Sequence, residues 1–555
     1  MADRVLLTKL KIKNLGPIQE DEVSFSNFTF FVGRNNAGKS HYLKGVELLL
    51  SSGIKKDNIA KWQRDKGKPI ELEGEFTGVG SFTNLATASN HKQAIENSIQ
   101  DGVLKVVSTL DSENGAQLGI VNENGEVHNP GGFSGNLLKV LPEIISIPAT
   151  ADTVQELADK SSTAIGKLKK EVMSSFFQEL AGKTKTLLAD IDSFLHSTDA
   201  GTRASAISDF EKGMKEEFMG EFSDVIPSVE FGLPDETVIA KEMKILLDDG
   251  HKTEVEQKGH GLQRATLLAL LKLLAKSGAR YKDRPAPIFL IGELESFLHP
   301  FAQRQMADAL IQMMERYQII TTTHSPFIVT PTTIEGYRRV GKSNDEGSKN
   351  VTLDASSIDI DLIKRHLERR GNLEGLFADR VILLEGNHDE GFYQKLMEIF
   401  DLSFSRQKFT LFVKADGKKQ VRLARKFYTQ MCFDDIAAIC NLDYIFSRDI
   451  EHLLEEFALD KELPGKFREH IEYTDDGEPK LEYILEKIKK KGEPENMEGL
   501  LNGLREKRIF VLRHGAPEMY YKNNTGEKRG WTELQAESDL LEVDYLKELM
   551  KAVLE

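Results

Sequence analysis

The octet Gly33-Arg34-Asn35-Asn36-Ala37-Gly38-Lys39-Ser40 follows a run of aromatic and β-branched residues and precedes a helical pattern. It fits G-x-x-x-x-G-K-[ST], a spacing suited to holding phosphates. The glycines permit positive φ and close backbone approach, and the N–H groups at the helix start attract phosphate charge. Lys39 is expected to reach the β- and γ-phosphates of a nucleotide, and Ser40 to take Mg²⁺. In "APIFLIGELESFLHP", 286–300, an apolar strand ends in acids at the sheet edge where ligands bind, and Glu293 there would orient the attacking water. "IITTTHSP" puts His324 just past another buried strand, within reach of a γ-phosphate. "KGHGLQRATLLALL", 258–271, is a Gly-rich turn opening a helix, a second phosphate-binding element through Gly259, Gly261 and Gln263. Taken singly, each has a plain alternative, such as a turn or a packed histidine. Together, in this order, they predict a nucleotide site.

A second set of residues suits a metal. "RVILLEGNHDEGFYQKLM", 380–397, reads as a strand ending in Glu385-Gly386, then a helix with Asp389 near its start. "DIAAICNLDYIFSRD", 435–449, reads as a second apolar strand, with alternation setting Asn441 and Asp443 on one side. Carboxylates at two strand ends, Glu385 and Asp443, would converge on Mg²⁺, a hard cation that prefers oxygen. Such sites serve phosphodiester chemistry. The alternative is that carboxylates at strand ends are merely solvated.

The elements that must position these residues follow from patterning. Residues 4–13 and 22–32 predict strands and 39–50 a helix. Residues 70–150 look β-rich, with Asn124-Gly125 as a hairpin turn. Residues 152–222 are rich in Glu, Lys, Leu and Ala with apolar positions three and four apart, a helical insertion and a candidate dimerisation element. Helices at 261–276 and 301–316 alternate with strands at 287–292 and 317–322, which means a parallel sheet. A connector is expected at 341–375. A second α/β unit then begins at 379–386 and continues through a helix at 389–400 and strands at 409–413, 436–441 and 508–512. Residues 450–500 are charged and mostly helical.

The chain has 555 residues, enough for two to four domains. Its net charge of −15 argues against a nonspecific polyanion binder but leaves room for a local basic face. Lys414, Lys418, Lys419, Arg422 and Arg425 are candidates for that face, against the alternative of a solvated helix surface. No run of about 18 apolar residues is present, so no membrane span or membrane partner is expected. Two cysteines, no signal-peptide pattern and no zinc spacing predict a cytoplasmic protein.

The order "GRNNAGKS", "GHGLQRA", "FLIGELESFLHP", "TTHSP" resembles the ATP-binding-cassette (ABC) ATPases of the chromosome-maintenance and DNA-repair branch. That resemblance implies two heads sandwiching ATP, with Gly259–Arg264 of one facing the P-loop of the other. Gly292 departs from the family's first acidic residue and Leu294 from its proline, which bears on hydrolysis more than on binding. "LLEGNHDEGFY", "KADGKKQV" and "NLD" resemble a Toprim domain, with Asn441 where an aspartate is usual. "RIFVLRHGAPEMYY", 508–521, resembles its last strand and implies a further metal ligand at Glu518. An N-terminal cassette with a C-terminal Toprim is similar to the OLD (overcoming lysogenization defect) family. The resemblance implies an α/β chain with an ABC-type ATPase domain at 1–340 and a Toprim nuclease domain at 376–555. It implies ATP and Mg²⁺ (with Mn²⁺ as substitute), DNA as partner and a homodimer or higher homo-oligomer. In anti-phage systems of the Gabija or retron type, a helicase-like protein or retron RNA/DNA would accompany it. The competing reading is an ATP-gated scaffold that recruits another effector. A small-molecule kinase would leave His324 and the whole C-terminal unit unexplained.

Overall fold

A computed structural model describes residues 4–51, 54–147, 205–218, 222, 224–230, 244–276, 284–293, 295, 298–343, 345–352, 361, 364, 372–386, 388–403, 409–431, 433, 435–447, 449–457, 459, 480–491, 493, 497–522, 532 and 534–554. Contacts divide it into two units, one ending at Thr352 and the other taking everything that follows together with Thr330–Thr332. Of the insertion expected at 152–222, most lies outside the described residues; Ser205–Phe218 is a helix, as its periodicity predicts.

The first unit is built on a 13-stranded sheet. One half is parallel, in the order Ile144–Ile147, Ile288–Gly292, Gln318–Thr322, Phe28–Val32, Tyr337–Ser343. Phe28–Val32, Ile288–Gly292 and Gln318–Thr322 are buried at every position, as strands covered on both faces must be. The register pairs Gly292 with Thr322 and Thr322 with Phe31, so Gly33, Glu293 and Thr323 leave the sheet at one edge. The other half is antiparallel, and Ile70–Thr77 alternates buried with more exposed positions along "IELEGEFT". The helix Lys39–Leu49 packs on the sheet through Tyr42, whose ring stacks on Phe31 at 4.8 Å. The Tyr42 hydroxyl donates to Asp21, which also accepts from the Asn350 backbone and amide at 2.8 and 2.7 Å.

Three expectations are corrected. The strand expected at 22–32 is two strands, Ile18–Ser24 and Phe28–Val32, which do not pair with each other. Ser26 breaks it: its N–H donates to Thr29 Oγ1 and its hydroxyl to Phe28 O, a local turn that competes with the ladder. The β-rich stretch also carries helices at Ser89–Asn97 and Phe133–Val140; Asn124-Gly125 does sit in a hairpin loop, pinned by the Asn122 side chain. The connector's first residues, 341–352, instead form a hairpin, Tyr337–Ser343 with Gly347–Thr352, inside the main sheet. The start of that hairpin depends on Gly336. A Cβ there would lie 1.8 Å from Phe28 O. Gly336→Ala is expected to destabilise the first unit by about 3 kcal/mol or more, read as a lower calorimetric unfolding temperature.

The second unit holds a four-stranded, wholly parallel sheet in the order Thr410–Lys414, Arg380–Leu384, Ile436–Cys440, Ile509–Val511. The helices Asp389–Ile399 and Val543–Leu554 share an apolar core with it. The buried Arg380 guanidinium pairs with Asp435 and closes that helix's last carbonyl, Leu554 O. Among the described residues, no helix is long and apolar enough to cross a membrane.

Candidate functional site

The octet forms the loop between the buried strand Phe28–Val32 and the helix Lys39–Leu49. Gly33, Asn36 and Gly38 all have positive φ, at 145°, 62° and 105°. A Cβ on Gly38 would stand 2.5 Å from Ser348 Oγ, the hydroxyl that donates to Ala37 O at 2.6 Å. The loop is thus braced from behind by the hairpin strand Gly347–Thr352. Arg34, Asn35, Asn36 and Ser40 are exposed, whereas Ala37, Gly38 and Lys39 are buried. No side chain caps the helix at Gly38, which leaves its first N–H groups for a ligand. Lys39 Nζ donates to Gly33 O and Arg34 O, both at 3.1 Å. Burial pushes its ammonium below the usual lysine range, and the charges of Glu293 and Glu295 oppose that.

Glu293 and His324 meet at the same sheet edge, with Glu293 Oε1 3.5 Å from His324 Nε2. Glu293 adopts a φ of 36°, rare for a residue with a side chain, and its N–H is anchored on Thr322 O at 3.0 Å. Glu295 has a role that inspection of the sequence did not assign. Its Oε1 accepts from Thr323 Oγ1 at 2.9 Å and from the His324 N–H at 2.7 Å, tying the two strand ends together. Burial raises its carboxyl pKa. The signal was present as the second acid of "ELE", two residues beyond Glu293. Gly259 is exposed and Gly261 half-buried at the start of the helix His260–Lys276. Gln263 departs from expectation: it is buried, and its amide donates to Lys258 O at 2.8 Å, so it closes its own turn. Gly38→Ala is expected to cost about 1–3 kcal/mol, because its φ suits glycine and Ser348 must move; unfolding calorimetry with and without ATP measures both the cost and the lost nucleotide effect.

In the second unit, a cavity of about 370 Å³ is lined by Glu385, Asp389, Asp416 and Glu518, with Asn441 and Tyr521 among its other walls. Three of the four expected metal ligands therefore line one cavity. Asp443 is not among the lining residues. The strand ends at Cys440, and Asn441 starts a tight helical turn, Leu442–Phe446, so strand alternation does not govern 441 and 443. Asp443 Oδ2 instead pairs with the Lys418 ammonium, and its Oδ1 is buried without a hydrogen-bond partner. Glu385 accepts the Asn441 N–H at 2.9 Å, and Asp389 accepts the Gly386 N–H at 2.8 Å. A Cβ on Gly386 would fall 2.4 Å from Asp389 Oδ1, which is why glycine stands there. Burial first, then the Asp443 charge, pushes Glu385 up to about 8.

Asp416 was missed, although "DG" is a turn signal. Asp416 and Gly417 have φ of 75° and 97°, and the turn brings the Gly417 N–H to Glu385 O at 2.8 Å. Among the described residues, no three acidic, His or Cys side chains lie close enough to grip one ion. Glu385 and Asp389 are instead turned to backbone N–H groups, those of Asn441 and Gly386. The four carboxylates that line the cavity, beside His388 and the Asn441 amide, still suit a hard cation.

The basic candidates are mostly engaged. Lys414 pairs with Glu390 at 3.0 Å, Lys418 with Asp443, and Arg422 lies 3.5 Å from Glu456. Arg425 stacks over Phe457 at 5.2 Å, and burial lowers its pKa. Lys419 is exposed. On the helix Lys418–Gln430, Lys418 and Arg422 are thus each paired with a carboxylate.

Comparison with known proteins gives a consistent result. Residues 6–108 and 87–329 match a family model described as an AAA ATPase domain. Residues 376–443 match one described as an overcoming lysogenization defect protein-like TOPRIM domain. The Old nuclease of Escherichia phage P2 is 28% identical over 336 residues, 58% of this chain and 56% of that protein. The OLD nuclease of Thermus scotoductus is 24% identical over 69% of this chain and 72% of its own. The endonuclease GajA of Bacillus cereus is 20% identical over 70% and 67%. The alignment with the phage protein spans little more than half of that relative's length.

Proposed function

The chain belongs to the OLD family, with an AAA-type P-loop ATPase domain and a Toprim domain, and from that premise we propose that it is an ATP-regulated, divalent-metal-dependent DNA endonuclease or nickase. The observation that carries this reading is the acidic cavity of Glu385, Asp389, Asp416 and Glu518 at the carboxyl edge of a buried parallel sheet, in a chain that also carries a P-loop.

In the first unit, Lys39 and the helix N-terminus bind the phosphates, and Ser40 faces their Mg²⁺. Glu293 holds the attacking water, and His324 contacts the γ-phosphate. With Gly292 in place of an acid, Mg²⁺ is held less firmly and turnover is slow, so nucleotide acts as a switch. ATP binding stabilises one arrangement of paired heads and biases the nuclease by differential affinity. In the second unit, Glu385, Asp389 and Glu518 hold a divalent cation, Mg²⁺ or Mn²⁺, which when bound supplies Lewis-acid polarisation of a phosphodiester. Homodimers or higher oligomers, a cytoplasmic location and a part in bacterial anti-phage defence follow from the same family reading, as does a helicase-like or retron partner.

Supercoiled plasmid incubated with the protein and Mg²⁺ or Mn²⁺, with and without ATP, tests it beside a Glu385→Ala control. Nicking or linearisation that vanishes in the control is the expected result. Plasmid intact under every condition would instead favour an ATP-gated scaffold.

A further inference from the structure

We propose that the acidic cavity takes one divalent cation, and that the Lys418 ammonium stands where a second ion would otherwise sit. This rests on the metal-dependent reading above. Asp443, one of the carboxylates expected to bind metal, does not line the cavity. Its Oδ2 meets Lys418 Nζ, with both side chains largely buried, at 12% and 15% exposure. Asn441, where a second charge would be expected, is neutral and donates its N–H to Glu385. A second ion beside Asp443 would have to expel a buried ammonium and would find one carboxylate fewer. A two-ion site needs closely spaced carboxylates to offset the repulsion between ions. Here one of those charges is already neutralised within the protein.

Lys418 is also costly where it stands. It opens the helix Lys418–Gln430, whose first turn holds no acid. A cation at that end opposes the helix dipole. The Asp443 partner offsets this. A phosphodiester reaching this helix end would meet the lysine and the open N–H groups together. Lys418 is then a fixed positive charge for the scissile phosphate, and Asp443 positions it.

The test is to titrate Mn²⁺ calorimetrically into the full chain without nucleotide and to record its electron paramagnetic resonance. Glu385→Gln serves as baseline for ions held elsewhere on an acidic chain. One ion per chain with an uncoupled signal is expected. Asp443→Asn should keep that ion, while Asp389→Ala weakens it by roughly tenfold or more. Lys418→Met should admit a second, spin-coupled ion. Two coupled ions in the unaltered chain would overturn the proposal while leaving the metal reading intact. Loss of the ion in Asp443→Asn, or a single ion in a folded Lys418→Met chain, would also overturn it. No ion at all would sink both it and the metal reading.

Discussion

Glu385→Gln is expected to lower metal-dependent plasmid nicking by at least about a hundredfold while leaving ATP binding unchanged. The side chain is 6% exposed, follows the strand Arg380–Leu384 and faces the acidic cavity. Glutamine keeps its volume, and its amide oxygen can still accept the Asn441 N–H. It removes the negative charge a cation needs. Loss of fold is not the expected cause, because the native carboxylate is itself penalised by burial and by Asp443. A calorimetric melt no lower than that of the unaltered chain, together with lost nicking, would establish a chemical role. Nicking at an unchanged rate would remove Glu385 from the mechanism.

Lys39→Ala is expected to weaken ATP binding by roughly tenfold to a hundredfold, the worth of one charged hydrogen bond to phosphate. The loss is compounded locally. Lys39 Nζ also closes the Gly33 and Arg34 carbonyls, which alanine would leave without that donor. In the unaltered chain, saturating ATP should raise the first unit's unfolding temperature through mass action. In the variant that rise should shrink or vanish at the same ATP concentration. Equal ATP-induced shifts in both proteins would refute the assignment of the octet as the nucleotide site.

Much of the fold was legible from local patterns. "IFLIG" is a continuous apolar run and "FTFFV" is broken only by Thr29, so burial on both faces and a parallel sheet follow. The helix after the octet and the strand before Glu385 fell within a residue or two of their observed limits, whereas the strand before the octet, expected from 22, begins at Phe28. The hairpin Tyr337–Ser343 with Gly347–Thr352 was not legible, because "GKSNDEGSKN" is polar and carries loop signals. Its place is decided by partners far along the chain, such as the pairing of Tyr337 with Phe30 and the Asn350 bonds to Asp21.

The sequence by itself determined which residues could do chemistry and which sheet edges would present them, because apolar periodicity and glycine placement act over a few residues. Only the tertiary structure decided how those groups are paired. Asp443 meets Lys418 rather than the cavity, Glu295 ties Thr323 to His324, and Gln263 folds back on Lys258. Buried charges and polar groups take whichever partner the packed fold brings within hydrogen-bond reach, and linear spacing does not encode that choice.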